Sequence, residues 1–296
     1  MIKRTIIISS PSRVSLSNCQ LVCTNLDDES RKSSAPIEDL GIVIVENQRV
    51  VFTIPLLNAL ADNNTMLIFC DSQMMPNSVL TGLNVNTTQS EMLRAQVSLI
   101  DSSLNNRLWK QIIESKIRNQ AQLLAKLGLD GAVLKPYYSN VTSGDSDNRE
   151  GAAARVYWKM LFGKDFSRER EGDAPNNMLN YGYSILRSAV ARALVGSGLN
   201  LSFGIFHRNR YNSMPLADDV MEAFRPFVDE IVYGLYSNGE TELTTEVKSH
   251  LINVLSCDSI FGDIRRPLQL GLSTTTASLG KCYLGKEKKL ILPKLE

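Results

Sequence analysis

Met74-Met-Pro-Asn-Ser-Val-Leu-Thr-Gly-Leu-Asn-Val-Asn-Thr-Thr88 separates two differently patterned stretches of this 296-residue chain. Before it, short β-branched runs alternate with polar turns: Thr5 to Ser9, Arg13 to Ser17, Gln20 to Thr24, Gly41 to Val45, Val50 to Thr53 and Met66 to Cys70. Such runs read as strands. Thr53 is placed to cap a short helix over 55–62, with Pro55 in its first turn, where the missing donor costs nothing. Within 74–88 periodicity disappears and Pro, Asn, Thr and Gly accumulate, so the stretch reads as a linker that ends in a possible capping box, Thr88-x-x-Glu91. Met74, Met75 and Pro76 read as a loop entrance. After it, Leu104, Leu108, Ile112, Ile117, Leu124 and Leu127 recur at helical spacing before Gly128. This helix is expected only to build core. Further helices are expected from about Asp147–Arg149 to Phe162, with Asn148 or Asp147 as cap, from Asn177 to Val195, and from Asp218 onward, with a kink at Pro226. The expected class is α+β: a small β-rich domain over 1–85 and a larger helical domain over 86–296.

Composition narrows the classes without choosing a function. Apolar residues make up 43% and charged residues 21%, which excludes disordered, collagen-like and disulfide-scaffold chains. No uncharged apolar run reaches about 18 residues, and the stretch after Met1 is too short for a signal-peptide core, so a cytoplasmic protein with no membrane span is expected. Thirty-two basic and 31 acidic residues nearly cancel. The part before residue 90 holds 6 basic and 8 acidic residues, leaving 26 and 23 after it. Any nucleic-acid interface must therefore be local, and Arg149, Arg155, Lys159, Lys164, Arg168 and Arg170 cluster, as do Arg208 and Arg210. Solvated surface is the competing reading. Five cysteines without a Cys-x-x-Cys pair indicate reduced thiols rather than zinc ligands or disulfides. The four lysines of 286–294 read as an exposed tail.

Three features carry candidate chemistry: Glu150 in Asn148-Arg149-Glu150-Gly151, His207 in Gly204-Ile205-Phe206-His207, and Glu222 in Asp218-Asp219-Val220-Met221-Glu222. The chain has only two histidines. Asp218 and Asp219 stand four and three residues before Glu222, so three carboxylates share one helix face, where like charges cost about 0.2–0.5 kcal/mol per pair. A bound cation would offset that repulsion; alternatively, Asp218 and Asp219 cap the helix and His207 is a buried structural residue. Carboxylates with an imidazole suit Mg²⁺ or Mn²⁺, with zinc second, and such an ion could polarise a phosphodiester.

At these residues the sequence resembles the CRISPR adaptation integrases, the first of the CRISPR-associated proteins, over nearly its whole length. The likeness runs through Phe69-Cys70-Asp71, Asn148-Arg149-Glu150-Gly151, Tyr181-Gly182-Tyr183, Gly204-x-x-His207 and Asp219-x-x-Glu222-x-Phe224-Arg225-Pro226. Its wording is most similar to the branch that accompanies single large RNA-guided nucleases. The resemblance implies an N-terminal β-sandwich-like dimerisation domain, an all-helical catalytic domain, and a Mg²⁺ or Mn²⁺ site built from Glu150, His207 and Glu222, with Asp219 as an auxiliary acid rather than a ligand. It also implies homodimers bridged by a small ferredoxin-like partner, and double-stranded DNA fragments inserted into repeat-array DNA by 3′-hydroxyl attack. Arg149, Arg155, Arg208, Arg210 and Arg225 are candidate phosphate contacts, because arginine meets phosphate in two-point fashion; Arg225 could equally brace its helix. Tyr183 reads as core, Tyr181 is open, and His250 has no assigned role. The alternatives are a stand-alone metal-dependent nuclease acting on branched or single-stranded DNA, and a catalytically idle DNA-binding scaffold.

Overall fold

The computed structural model describes residues 3–72, 76–82, 85–100, 102–169 and 172–296. Met74 and Met75 of the expected loop entrance, and Arg170 of the basic cluster, lie outside the described residues. The chain divides into two compact units, 1–87 and 88–296.

The first unit contains β1 (Arg4–Ile8), β2 (Ser12–Ser17), β3 (Gln20–Asn25), β4 (Lys32–Pro36), β5 (Leu40–Val45), β6 (Val50–Phe52), α1 (Ile54–Asp62), β7 (Met66–Cys70) and β8 (Pro76–Leu80). One sheet has the order β1-β5-β7-β8, in which β1, β5 and β7 run parallel and β8 is antiparallel. The other has the order β4-β3-β2-β6. Ile8, Val14, Leu21, Ala35, Leu40, Val43 and Leu67 from both sheets, with Leu56 and Leu60 of α1, form one apolar core. Two strands of this unit have no counterpart among the expected β-branched runs. In β4 the run Lys32-Ser-Ser-Ala-Pro36 has only Ala35 facing the core, so it lacks β-branched patterning. The other, β8, lies within the expected linker. Pro76 at its first position and its place at the sheet edge reconcile a proline with a strand.

The second unit contains α2 (Gln89–Ser98), α3 (Ser103–Lys126), α4 (Lys135–Tyr138), α5 (Arg149–Phe162), α6 (Asn176–Gly196), α7 (Pro215–Met221), α8 (Arg225–Ser237), α9 (Thr245–Ile252), β9 (Asp258–Phe261), β10 (Ile264–Pro267), α10 (Leu268–Tyr283) and β11 (Pro293–Lys294). It is therefore not all helical: β10, β9 and β11 form a three-stranded antiparallel sheet. Nor is its end an exposed tail. Asn119 of α3 donates to the Pro293 carbonyl at 3.1 Å and accepts from the Leu295 amide at 3.1 Å, and Leu295 is buried.

Helices α3 and α6 are the frame of this unit. The α3 helix packs against α4, α5 and α8, whereas α6 packs against α7, α8, α9 and α10. The expected single helix from Asp218 is instead α7, a 3₁₀ turn over Glu222–Phe224, and α8. Pro226 has no amide hydrogen to offer the Glu222 carbonyl, so the α-helical ladder is interrupted just at Glu222. Among the described residues no helix is long and apolar enough to cross a membrane, and no disulfide joins any two of the five cysteines.

Candidate active site

Glu150 sits in the first turn of α5, where two separate devices hold the backbone. Asn148, in the left-handed region at φ 50°, caps the helix by accepting from the Gly151 amide at 3.1 Å. Asp145 accepts from the Arg149 amide at 2.8 Å and the Glu150 amide at 3.1 Å. Asp147 is not a cap; it lies 3.8 Å from Arg149. Gly151 leaves room for this cap, since a Cβ there would meet Asn148 Oδ1 at 2.6 Å and press on the capping side chain.

His207 ends a turn that is wrapped around one carboxylate. Fully buried Asp219 accepts from the amides of Ile205 at 2.5 Å, Phe206 at 2.8 Å and His207 at 3.2 Å, and pairs with His207 Nδ1 at 2.5 Å. Gly204 lets the turn close: a Cβ there would meet the His207 carbonyl oxygen at 2.5 Å and Asp219 Oδ2 at 3.0 Å. The Trp109 ring of α3 stacks on Phe206 with centroids 4.4 Å apart and meets His207 edge-on at 5.7 Å. With its side chain 43% exposed, His207 is not a buried structural residue. The hydrogen bond to Asp219 raises its pKa above the usual histidine value, against the opposing effect of burial. Burial pushes the Asp219 carboxyl up, and the hydrogen bonds from His207 and the backbone pull it back.

Glu222 is buried at the junction of α7 and α8, and its partners are cations. Lys116 Nζ stands 2.6 Å from Glu222 Oε2 and 2.5 Å from Glu150 Oε1, which brings the two carboxylates onto one point. Arg225 Nε lies 2.9 Å from Glu222 Oε1. Burial alone would raise the Glu222 carboxyl, but Arg225 and Lys116 hold it below its ordinary value. Burial likewise opposes the Lys116 charge, but Glu150 and Glu222 outweigh it, and its pKa is raised.

The expected crowding of three carboxylates is resolved without an added ion. Asp218 is taken by Arg187 at 2.5 Å and by Asn212 at 2.6 Å, Asp219 by the 205–207 turn, and Glu222 by Lys116 and Arg225. Neither Asp218 nor Asp219 is a helix cap, because α7 begins at Pro215. The most consequential residue missed from the sequence is Lys116: α3 does more than build core. Its signal was there, since Lys116 lies four residues after Ile112 and three after Ile113, on the helix's apolar stripe.

Among the candidate phosphate contacts, Arg155, Arg208 and Arg210 are exposed, and Arg208 and Arg210 line a cavity of about 580 Å³ together with His207 and Asn105. Arg149 is half-buried. Arg225 is a correction: it is turned inward, with its guanidinium against Glu222 and 4.5 Å from the Tyr183 ring centroid. Arg168 also turns in, toward Asn180 at 2.7 Å and the Tyr183 ring. Both Tyr181 and Tyr183 are buried, and His250 is exposed.

Behind Arg225, the Tyr157 hydroxyl donates to Asp229 at 2.8 Å and the Tyr183 hydroxyl donates to its other oxygen. Burial pushes the Asp229 carboxyl up to about 6, against the pull of these hydroxyls. A carboxyl raised above its unfolded value stabilises below that value and loses the contribution as pH rises through about 6; His207, also raised, acts with the same sign. The thermal midpoint should therefore fall from about pH 5 to about pH 7.5, and Asp229→Asn should make that fall shallower. Equal slopes for the two proteins would contradict this assignment.

A sequence model of the family described as CRISPR associated protein Cas1 matches residues 5–253. The chain belongs to the Cas1 family. A CRISPR-associated endonuclease Cas1 of Neisseria meningitidis serogroup C (strain 8013) is 38% identical over 256 residues, covering 85% of this chain and 83% of the relative. Among solved structures, a casposase bound to integration product superposes with a TM-score of 0.81 at 19% identity, covering 98% of this chain and 92% of the other. A Cas6-RT-Cas1--Cas2 complex aligns with a TM-score of 0.76 at 19% identity, covering 99% of this chain and 36% of that longer one. Both likenesses are of fold. For this Cas1-family chain, no group of three His, Cys, Asp or Glu side chains is drawn together tightly enough to hold a metal among the described residues, and Lys116 stands between Glu150 and Glu222. The donors themselves suit a hard divalent cation: two carboxylates aimed at one cation, and an imidazole whose Nδ1 is held by an acid, as metal-bound histidines commonly are.

Proposed function

We propose that this Cas1-family chain is the integrase of CRISPR adaptation, which joins the 3′-hydroxyl of a captured double-stranded DNA fragment to the phosphorus of a phosphodiester at the repeat boundary, while the existing P–O bond breaks and the cut strand leaves with a protonated 3′-hydroxyl. The observation that carries this reading is the convergence of Glu150 and Glu222 on one cation position, beside a histidine fixed by Asp219. Glu150, His207 and Glu222 would hold Mg²⁺ or Mn²⁺, which supplies Lewis-acid polarisation of the phosphodiester and neutralises charge in the transition state. Asp219 fixes the ring of His207 so that Nε2 is the nitrogen presented. Arg225 keeps Glu222 ionised and aligned from behind. Arg208 and Arg210, in the cavity beside His207, neutralise phosphates of the bound strand, as do Arg149 and Arg155 on α5.

The first unit would serve as the homodimerisation domain, with two dimers bridged by a small ferredoxin-like partner in the cytoplasm. A structural neighbour solved as a Cas1–Cas2 complex supports a bridged assembly, and one solved with an integration product supports strand joining. To separate joining from hydrolysis, a labelled duplex is mixed with a supercoiled plasmid carrying the repeat array, Mn²⁺ and the partner. Label should enter the plasmid at the repeat boundary with 3′-hydroxyl ends and not with 3′-deoxy ends. Nicking with either end and no joined product would make the chain a nuclease that uses water.

A further inference from the structure

The Lys116 ammonium occupies the one place toward which both acids point. Its nitrogen is 2.5 Å from Glu150 Oε1 and 2.6 Å from Glu222 Oε2. Mg²⁺ holds oxygen ligands at about 2.0–2.1 Å, so an ion shared by the same two oxygens would lie almost on top of that nitrogen. The two cannot be there together. Charge leads to the same conclusion. Lys116 and Arg225 balance Glu150 and Glu222, and a dication added with the ammonium still in place would meet a like charge within a few ångströms, where the medium screens poorly.

We infer that Lys116 is a displaceable stand-in for the divalent ion: it holds Glu150 and Glu222 together in the ion-free protein, and withdraws from between them when the ion binds. This rests on the metal-site reading proposed above. The need for a stand-in follows from the repulsion of two carboxylates aimed at one point, one of them buried. The ability to leave follows from the lysine's flexible four-carbon stem and three freely turning donors. The Glu150 side of the pair is the more open one: that side chain is 27% exposed, whereas Glu222 is closed in. Arg225 is not equivalent, because its guanidinium is fixed between Glu222 and the Tyr183 ring. Affinity for the ion is thus set below that of the bare acids, since each binding event must break two ion pairs.

Mn²⁺ binding to the full chain, measured by calorimetry without DNA, tests this in the native protein, in Lys116→Met and Lys116→Gln, and in the Glu150→Gln/Glu222→Gln double variant. Both Lys116 variants should bind Mn²⁺ at least about tenfold more tightly than the native protein, and Mn²⁺ should raise their thermal midpoints by more than it raises the native one. Lys116→Gln keeps a donor, so it serves where Lys116→Met folds poorly. Equal or weaker Mn²⁺ affinity in both folded variants would overturn the displacement. Binding that survives in the double variant, or that is absent from all the single-site and native proteins, would instead overturn the metal site itself.

Discussion

Asp219→Ala should cost this Cas1-family chain both stability and strand joining. The buried carboxylate accepts from three consecutive amides and from the His207 ring, so its removal leaves donors without acceptors around a closed turn. Each buried, unmet donor costs about 1–3 kcal/mol. Ile205 is buried, while Phe206 and His207 are open enough for water to replace part of what is lost, so a loss of about 2–4 kcal/mol is expected. For a unit of this size that corresponds to a thermal midpoint lower by about 5–15 °C. Joining should fall further than the folded fraction does, because the freed imidazole no longer presents a single nitrogen in a single orientation. Asp219→Asn separates the two effects: the amide oxygen still accepts from the backbone, while its charge on His207 is gone. Thermal unfolding and joining, measured on both variants at a temperature where both are folded, check this. An Asp219→Ala protein as stable as the native one would show that the turn does not depend on the carboxylate.

Glu150→Gln should have the larger effect on chemistry and the smaller on folding. Glu150 is partly exposed, its helix is capped by Asn148 and Asp145 rather than by its own side chain, and a glutamine oxygen can still accept from Lys116. What disappears is one of two negative charges aimed at the cation position. A bound divalent ion contributes several kcal/mol to phosphodiester chemistry, so joining should drop by about a thousandfold or more. The melting curve should change by only a few degrees.

The parts of this architecture that could be read from the sequence are those dictated by local chemistry. The helix beginning at Arg149 followed from an asparagine cap and the glycine after Phe162, and the long helix ending before Gly128 followed from its apolar spacing. Strands with β-branched alternation were equally legible. Elements held by distant partners were not. Strand β8 looked like linker because a proline and polar residues interrupt it, and its strand character comes from pairing with β7. The C-terminal lysines looked like a tail because the groups that anchor this segment, Asn119 and Gln111, belong to a helix about 170–180 positions earlier. The same division runs through the site. Glu150, His207 and Glu222 are visible as unusual residues in suggestive contexts, whereas their neighbours Trp109 and Asp145 are visible only in three dimensions. Lys116 is the instructive case, since a lysine on an apolar helix stripe asks for an acid, and two meet it: buried Glu222 and half-buried Glu150. The inward turn of Arg225 had the opposite cause: its neighbours in sequence suggested DNA, while the Tyr183 ring and Glu222 claim its guanidinium.

In the proposed integrase, Glu150, His207 and Glu222 would hold one divalent cation that supports strand joining. The most direct measurement is the joining of a labelled duplex to a repeat-bearing supercoiled plasmid, titrated with Mn²⁺ for the native chain and Glu150→Gln, each with the partner present and each shown to be folded. Joined product at the repeat boundary should appear with Mn²⁺ in the native protein and be lower by about a thousandfold or more in Glu150→Gln at every concentration. Joining by folded Glu150→Gln at the native level, or native joining undiminished in chelator, would contradict it.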